Sequence, residues 1–338
     1  MPGLNSTVQR FDRSTGIPKD VWTVLHADPA RANIILPHAE KVFERQKFIP
    51  GITATEQVWL VNSKLGTSEI KFILSCTTGP QDKYPIFIVP TDSIADLTPA
   101  LLQSSIEALC NTLLNEPNFR TRVFSVFSVE PVAEAFARTW KILTGIDREV
   151  VPYYHALFMM CTKDTLVRQH RAAPPSEDVV LEPRSAVEQD AEQIAVLCHE
   201  FAATSPPFTL SIEKAREEAS LLIANKQVWV LEVQKPNAEP NIATIVAVTR
   251  KAGGVAAITK VYTPEQWRGR RCAERLVRHV STELLEKYKQ VVLYVGIDNN
   301  ASKVYDRVGF RGLNDGSDGV ERWLEIGFDQ AEVELGHW

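Results

Sequence analysis

The chain lacks several features that settle a protein's class quickly. Its 338 residues include five cysteines, Cys76, Cys110, Cys161, Cys198 and Cys272, with no CxxC and no Cys/His spacing. An odd, scattered set of thiols supports neither a zinc site nor a disulfide framework, and predicts no metal and reduced cysteines in a cytoplasmic or nuclear compartment. No run of about 18 apolar residues occurs, and the opening MPGLNSTVQRFDRSTG has no apolar core of signal-peptide length. The expectation is a chain that neither spans a membrane nor is exported by that route. Positive charge is in deficit: 37 Lys and Arg against 42 Asp and Glu leave a net charge of −5. Bulk electrostatics then disfavour nucleic acid and an anionic membrane as partners.

What is present is an ordinary globular composition, 44% hydrophobic and 23% charged, with enough length for two cores. The polar stretch 164–178, DTLVRQHRAAPPSED, has paired prolines and no apolar periodicity, and marks a linker. It divides the chain into an N-terminal domain (1–165), a linker (166–178) and a C-terminal domain (179–338).

In the second domain a short strand (179–183) precedes a helix with apolar Ile194, Ala195, Leu197, Cys198 and Phe201, then a second helix over 211–224. The alternating runs VWVLEV (228–233), IATIVAV (242–248) and VAAITKVY (255–262), the last two separated by Gly253-Gly254, predict an antiparallel meander. A long helix over 268–287, a buried strand VVLYVGI (291–297), a short helix ASKVYDRV and a terminal strand RWLEIGF (322–328) complete it. The first half runs in similar order: strands at 58–62, 70–76 and 85–90, a helix at 101–114, a strand at 122–129, a helix at 131–143 and a strand at 154–161. The fold class is therefore α/β with mixed sheets, and the halves read as divergent copies of one fold.

The chemistry concentrates between the meander and the long helix, in Val261-Tyr262-Thr263-Pro264-Glu265-Gln266-Trp267-Arg268-Gly269-Arg270-Arg271-Cys272-Ala273. A loop feeding a helix N-terminus presents successive N–H groups and the positive end of the helix dipole to an anion. Arg268, Arg270 and Arg271 add charge where cations are otherwise unfavourable, so an anion is expected to offset them. This segment resembles motif A of the GNAT superfamily of acetyl-CoA-dependent N-acetyltransferases, whose pattern is Gln or Arg, two residues, Gly, one residue, then Gly or Ala. Arg268 and Ala273 match its ends, and Arg271 stands in the glycine position. A second match, Tyr305-Asp306-Arg307-Val308-Gly309-Phe310, resembles the family's YxxxGF.

The resemblance covers about residues 179–328 and implies a GNAT-like fold, acetyl-CoA as co-substrate and transfer of an acyl group to an amine. It implies a pyrophosphate cradle at Arg268, Gly269, Arg270, Arg271, Cys272 and Ala273, and backbone contacts from Val261 and Thr263 to the pantetheine arm. Tyr305 is implied as the acid that protonates the leaving thiolate. Relatives often carry an asparagine seven residues before that tyrosine; here the position is Asp298, and Asn299 beside it is the candidate contact.

An amine is mostly protonated at neutral pH, so a base is required. Many relatives place a glutamate on the fourth strand, but VAAITKVY has none. Glu325, which alternates with Trp323 on the last strand, is the first candidate, and His199 and Glu200 on the first helix are others. The turn Ala203-Thr204-Ser205-Pro206-Pro207-Phe208 is neutral, without the acidic cluster expected for a polyamine or histone tail, and points to a small-molecule amine as acceptor. A binding or scaffolding protein without turnover, and a protein N-acetyltransferase, are the alternatives. At the equivalent of the phosphate loop the N-terminal half has Pro90-Thr91-Asp92-Ser93-Ile94-Ala95-Asp96-Leu97, acidic and without glycine, which would repel a pyrophosphate. Oligomeric state has no signature in the sequence.

Overall fold

The computed structural model describes residues 6–44, 57–79, 82–168, 180–234, 236–312 and 320–336. Most of the expected linker, 169–178, lies outside the described residues. The chain forms two compact units, one of residues 1–156 with 321–338 and one of residues 157–320.

The first unit contains strands β1 (Ser6–Phe11), β2 (Gln57–Lys64), β3 (Ile70–Thr77), β4 (Ile86–Pro90) and β5 (Ser125–Val129). Its helices are α1 (Lys19–Ala27), α2 (Leu36–Ala39), α3 (Pro99–Leu114), α4 (Phe119–Arg122) and α5 (Glu130–Thr144). Strands β1 to β4 pair antiparallel in succession, whereas β4 and β5 are parallel through Ile86↔Val126 and Phe87↔Phe127. The strands β4 and β5 are buried along their whole length, as near-continuous apolar runs are when both faces of a sheet are covered.

The second unit contains β7 (Val180–Ser185), α6 (Ala191–Ala203), α7 (Ile212–Ala224), β8 (Val228–Gln234), β9 (Asn241–Ala252), β10 (Val255–Tyr262), α8 (Cys272–Lys287), β11 (Gln290–Gly296) and α9 (Ala301–Val308). The meander β8, β9, β10 is antiparallel, and β10 is parallel to β11. The turn between β9 and β10 runs through Gly253 and Gly254 with φ of 57° and 79°, a region glycine enters without a Cβ penalty. Alternate residues of β8 serve two cores. Trp229, Leu231 and Val233 pack with Leu276, Val277 and Val280 of α8, while Val228 and Val230 pack with Ile194, Ala215 and Ala219 of α6 and α7.

The division into units differs from two contiguous halves. β6 (Tyr154–Thr162) runs into the second unit from Leu157 onward, and β12 (Arg322–Gly327) belongs to the first. The strand order is β1-β2-β3-β4-β5-β12 in the first unit and β6-β11-β10-β9-β8-β7 in the second. Each unit thus places beside its fifth strand a strand that sequence order assigns to the other. Both β6 and β12 are short, apolar strands following a helix, and nothing in their local pattern names a partner. The terminal strand expected to close the C-terminal half instead pairs antiparallel with β5, from Trp323↔Val129 to Gly327↔Ser125. Among the described residues, no helix is long and apolar enough to cross a membrane.

Candidate active site

β10 and β11 pair only from Val255↔Gln290 to Ile258↔Leu293 and then part. On the other side of β10 the register with β9 shifts around Ile258, so that Thr259 falls out of the ladder. Such a bulge bends the strand and increases its twist. Its hydroxyl is held from across the ladder by Thr249 Oγ1 at 3.0 Å. The last four residues of β10 therefore border an opening between two parallel strands. Val261 continues the pairing with β9 opposite Val246 and packs on the α8 core. Thr263 shares a hydroxyl contact of 2.8 Å with Thr244, and its carbonyl accepts from Arg268 Nε at 3.0 Å.

The loop that follows is a short 3₁₀ turn, Glu265–Trp267, and α8 begins at Cys272, four residues later than the expected Arg268. Gly269 has φ 73° with no atom within 4 Å of where a Cβ would lie. Arg268 folds back over Tyr262, 5.9 Å from its ring, and Arg270 lies 5.5 Å from the ring of Trp267. Arg271, at the glycine position of the pattern, caps the helix with φ 59° and ψ 23° and makes no side-chain cap bond. A left-handed conformation costs a non-glycine residue roughly 1 to 2 kcal/mol, so the backbone here keeps the shape that the pattern's glycine serves. The first turn of α8 offers N–H donors for which the helix itself supplies no acceptor, and no side chain caps them. Cys272 is buried and its thiol is pushed up by desolvation, which leaves it inert. Ala273, half-buried, completes the turn without a bulky side chain.

Tyr305 lies in α9, buried, with Phe310 edge-on at 5.9 Å. Burial holds its phenol well above the ordinary range, so it is protonated at neutral pH. The YxxxGF pattern has a packing reason. Gly309 ends α9 at φ 114°, and a Cβ there would meet the carbonyl oxygen of Thr165 at 2.1 Å. Asn299, the candidate cofactor contact, accepts from the Ala301 N–H at 2.9 Å and so orders the start of α9.

A buried carboxylate that belongs to neither motif lies in the first turn of α8. Glu274 is 1% exposed and accepts from Arg278 at 3.1 Å and from Arg307 at 2.9 Å. Arg278 also donates to the carbonyls of Val167 at 2.8 Å and Arg307 at 3.1 Å. These bonds tie α8 to the end of α9, and hence to the helix carrying Tyr305. The Glu274-to-Arg278 spacing of i, i+4 is the only trace of this in the sequence.

Of the base candidates, Glu325 belongs to the first unit and not to the one that holds Tyr305. It is 1% exposed and accepts from Ser125 Oγ at 2.8 Å. His199 is exposed, and its Nδ1 donates to the Leu210 carbonyl at 2.6 Å. Glu200 lies against Tyr262, whose phenol is raised by burial and then by the Glu200 charge. Among the described residues no group of three or more potential ligands is arranged to hold a metal.

Residues 242–317 match the family model of FR47-like proteins. No functionally curated protein matches the chain. In solved structures, a GCN5-related N-acetyltransferase from Sphaerobacter thermophilus aligns over 95% of both chains at 16% identity with a TM-score of 0.53. A Drosophila protein aligns over 94% of this chain and 98% of its own at 11% identity with a TM-score of 0.60. The parted strands, the uncapped helix start and the YxxxGF turn thus lie in the segment that matches FR47-like proteins, and the fold of the chain is similar to that of a GCN5-related N-acetyltransferase.

Proposed function

We propose that the second unit transfers an acetyl group from acetyl-CoA to the primary amine of a small molecule, by direct attack within a ternary complex. The observation that carries this reading is the parting of β10 and β11 beyond Ile258 and Leu293, beside the uncapped start of α8. In it the pantetheine arm lies along the free edge of β10 near Val261 and Thr263. The pyrophosphate sits on the N–H groups of the first turn of α8, among Arg268, Arg270 and Arg271. The amine nitrogen attacks the thioester carbon, a backbone N–H of β10 near the bulge stabilises the oxyanion, and Tyr305 protonates the departing sulfur.

The first unit supports a different role in the same reading. It keeps the strand order but not the anion site, and so serves as a partner domain rather than a second catalyst. The chain is expected to act in a cytoplasmic or nuclear setting, with neither nucleic acid nor membrane as a partner.

Calorimetric titration with acetyl-CoA, followed by thiol release over a panel of primary amines, tests the proposal. Tight binding with release on a small amine is the expected result. Arg271 in the glycine position and the absence of a carboxylate on β10 favour a second reading, a coenzyme A-binding protein without turnover. Binding without release on any amine or peptide selects it, and release only on peptides indicates protein acetylation.

A further inference from the structure

On β10 the chain has no acid, and the residue facing α6 and α7 just past the bulge is Lys260. Its ammonium is taken up by Glu218 of α7, at 2.7 and 2.8 Å to the two carboxylate oxygens, and lies 5.1 Å from the ring of Phe201. Neither member of that pair is available to receive a proton from an amine without breaking a half-buried ion pair. Two residues on, Tyr262 turns toward the same helices, edge-on to Phe201 at 6.3 Å. Against it stands Glu200 of α6. Its Oε2 is buried and has no hydrogen-bond partner among the described residues. A buried carboxylate oxygen without a donor is costly, and such groups are retained where a ligand or a reaction uses them.

Resting on the acetyl-transfer reading above, we infer that Glu200 is the base that deprotonates the acceptor amine, a carboxylate delivered from helix α6 in place of one on the strand. The acceptor is a primary ammonium small enough to reach Glu200 beside the rings of Phe201 and Tyr262. It enters from the α6 and α7 side of the sheet, opposite the helix that would hold the pyrophosphate. The ammonium donates to Glu200 Oε2 and gives it one proton, leaving a neutral nitrogen lone pair. The C–N bond then forms and the C–S bond breaks. Tyr305 gives its proton to the sulfur and is reprotonated by the second proton leaving the nitrogen. Glu200 releases the first proton to water, so the products are the amide, the thiol and one proton.

The charged and titratable groups around Glu200 and its neighbour Tyr262 are Arg268 over the Tyr262 ring, the Lys260–Glu218 ion pair that starts two residues before Tyr262 on β10, and His199 next to Glu200 in α6. Lys260 and Glu218 offset each other, and Arg268 balances the Glu200 charge across the Tyr262 ring.

The test uses the full chain, acetyl-CoA and the amine that the unsubstituted protein acetylates fastest, between about pH 6 and 9. Glu200→Gln is expected to lower kcat/KM about 100-fold near neutrality, while acetyl-CoA affinity by calorimetry stays within about twofold. Because only neutral amine then reacts, the deficit shrinks about tenfold per pH unit until the amine's own pKa, a recovery that a merely structural defect does not show. Activity within about threefold of the unsubstituted protein, a deficit constant with pH, or a comparable loss in His199→Gln instead overturns the inference. If Glu200→Gln does not fold, Glu200→Asp retains the charge one methylene short. A lower kcat at unchanged KM for acetyl-CoA supports the role, and an unchanged kcat overturns it. Failure of the unsubstituted protein to release thiol on any amine defeats the parent reading as well, whereas normal release with an indifferent Glu200→Gln defeats this inference alone.

Discussion

Helices α8 and α3 hold equivalent places in their units, each following a strand that pairs parallel with its neighbour for only a few residues. Their N-termini are nonetheless opposite in kind. The start of α3 satisfies itself: Thr98 accepts from the Leu101 N–H at 3.3 Å, and Pro99 removes a donor from the first turn. Its approach is acidic, with Asp96 bonded to Ser93 at 2.6 Å and Asp92 to Lys71 at 3.0 Å. The strand opening beside it is bridged by Ser128, whose hydroxyl donates to the Ile88 carbonyl at 2.6 Å. At α8 there is no side-chain cap, no proline, and arginine at 268, 270 and 271. One strand order thus carries either a self-capped helix start or an open, arginine-rich one, and a handful of residues at the cap decides which.

The comparison is broken most bluntly by stoichiometry. One acetyl-CoA per chain is expected in a calorimetric titration, and two would show that α3 is as receptive as α8. Next in size is the buried carboxylate that only α8 possesses. Glu274→Ala leaves Arg278 and Arg307 without their shared acceptor and should destabilise the protein by about 3 kcal/mol in chemical denaturation. A loss below about 0.5 kcal/mol would mean that the tie between α8 and α9 is ornamental.

Acid probes the other unit. His38 donates from Nε2 to Gln57 Oε1 at 2.6 Å, an acceptor because Gln57 Nε2 donates to the Thr78 carbonyl. Burial lowers its pKa to about 4. The folded state then binds fewer protons than the unfolded one between its folded and unfolded pKa values, so stability is complete above the ordinary histidine range and falls as pH drops toward 4. The loss should be on the order of 3 kcal/mol, read from the fluorescence of Trp59, which stacks on His38 at 6.3 Å. His38→Gln should flatten that profile.

Arg271→Asp gives α8 the acidity of the α3 approach and should weaken acetyl-CoA binding about 30-fold, or about 2 kcal/mol, with little change in stability. The smallest effect separates backbone from charge. Arg271→Gly relieves the left-handed conformation and should raise stability by about 1 kcal/mol while changing acetyl-CoA affinity less than about threefold. A large loss of affinity would assign the cradle to the guanidinium instead of the backbone.

Much of the architecture was legible because it is periodic. The strands at 58–62, 70–76, 228–233 and 255–262 and the helices at 101–114, 131–143 and 301–308 are found within a few residues of where alternation and helical spacing put them. β1 and α1 are not legible in the sequence, because these short elements bury too few apolar side chains to stand out; only Val21 and Leu25 of α1 are buried. The Arg268–Ala273 loop was visible as a pattern, but the left-handed φ of Arg271 was not, since residue identity argues against it. Glu200 stands beside Glu325 and His199 as a candidate base in the sequence, and the helical spacing of α6 does not say that its carboxylate lies against Tyr262. The exchange of β6 and β12 depends on packing between segments more than about 100 residues apart in the chain, which no local window contains.

That exchange bears on how the protein is made. A chain emerging from its N-terminus reaches residue 156 with the first unit still missing β12, which arrives only after the whole of the second unit has been synthesised. Until then β5 has an open edge, the kind of surface that invites mispairing and chaperone capture. The second unit has the opposite schedule. Its borrowed strand β6 is already waiting when β11 appears, so it can close first. Expressing the two halves as separate pieces split in the 169–178 segment would leave each short of a strand, and an assay on either piece would report on a broken sheet.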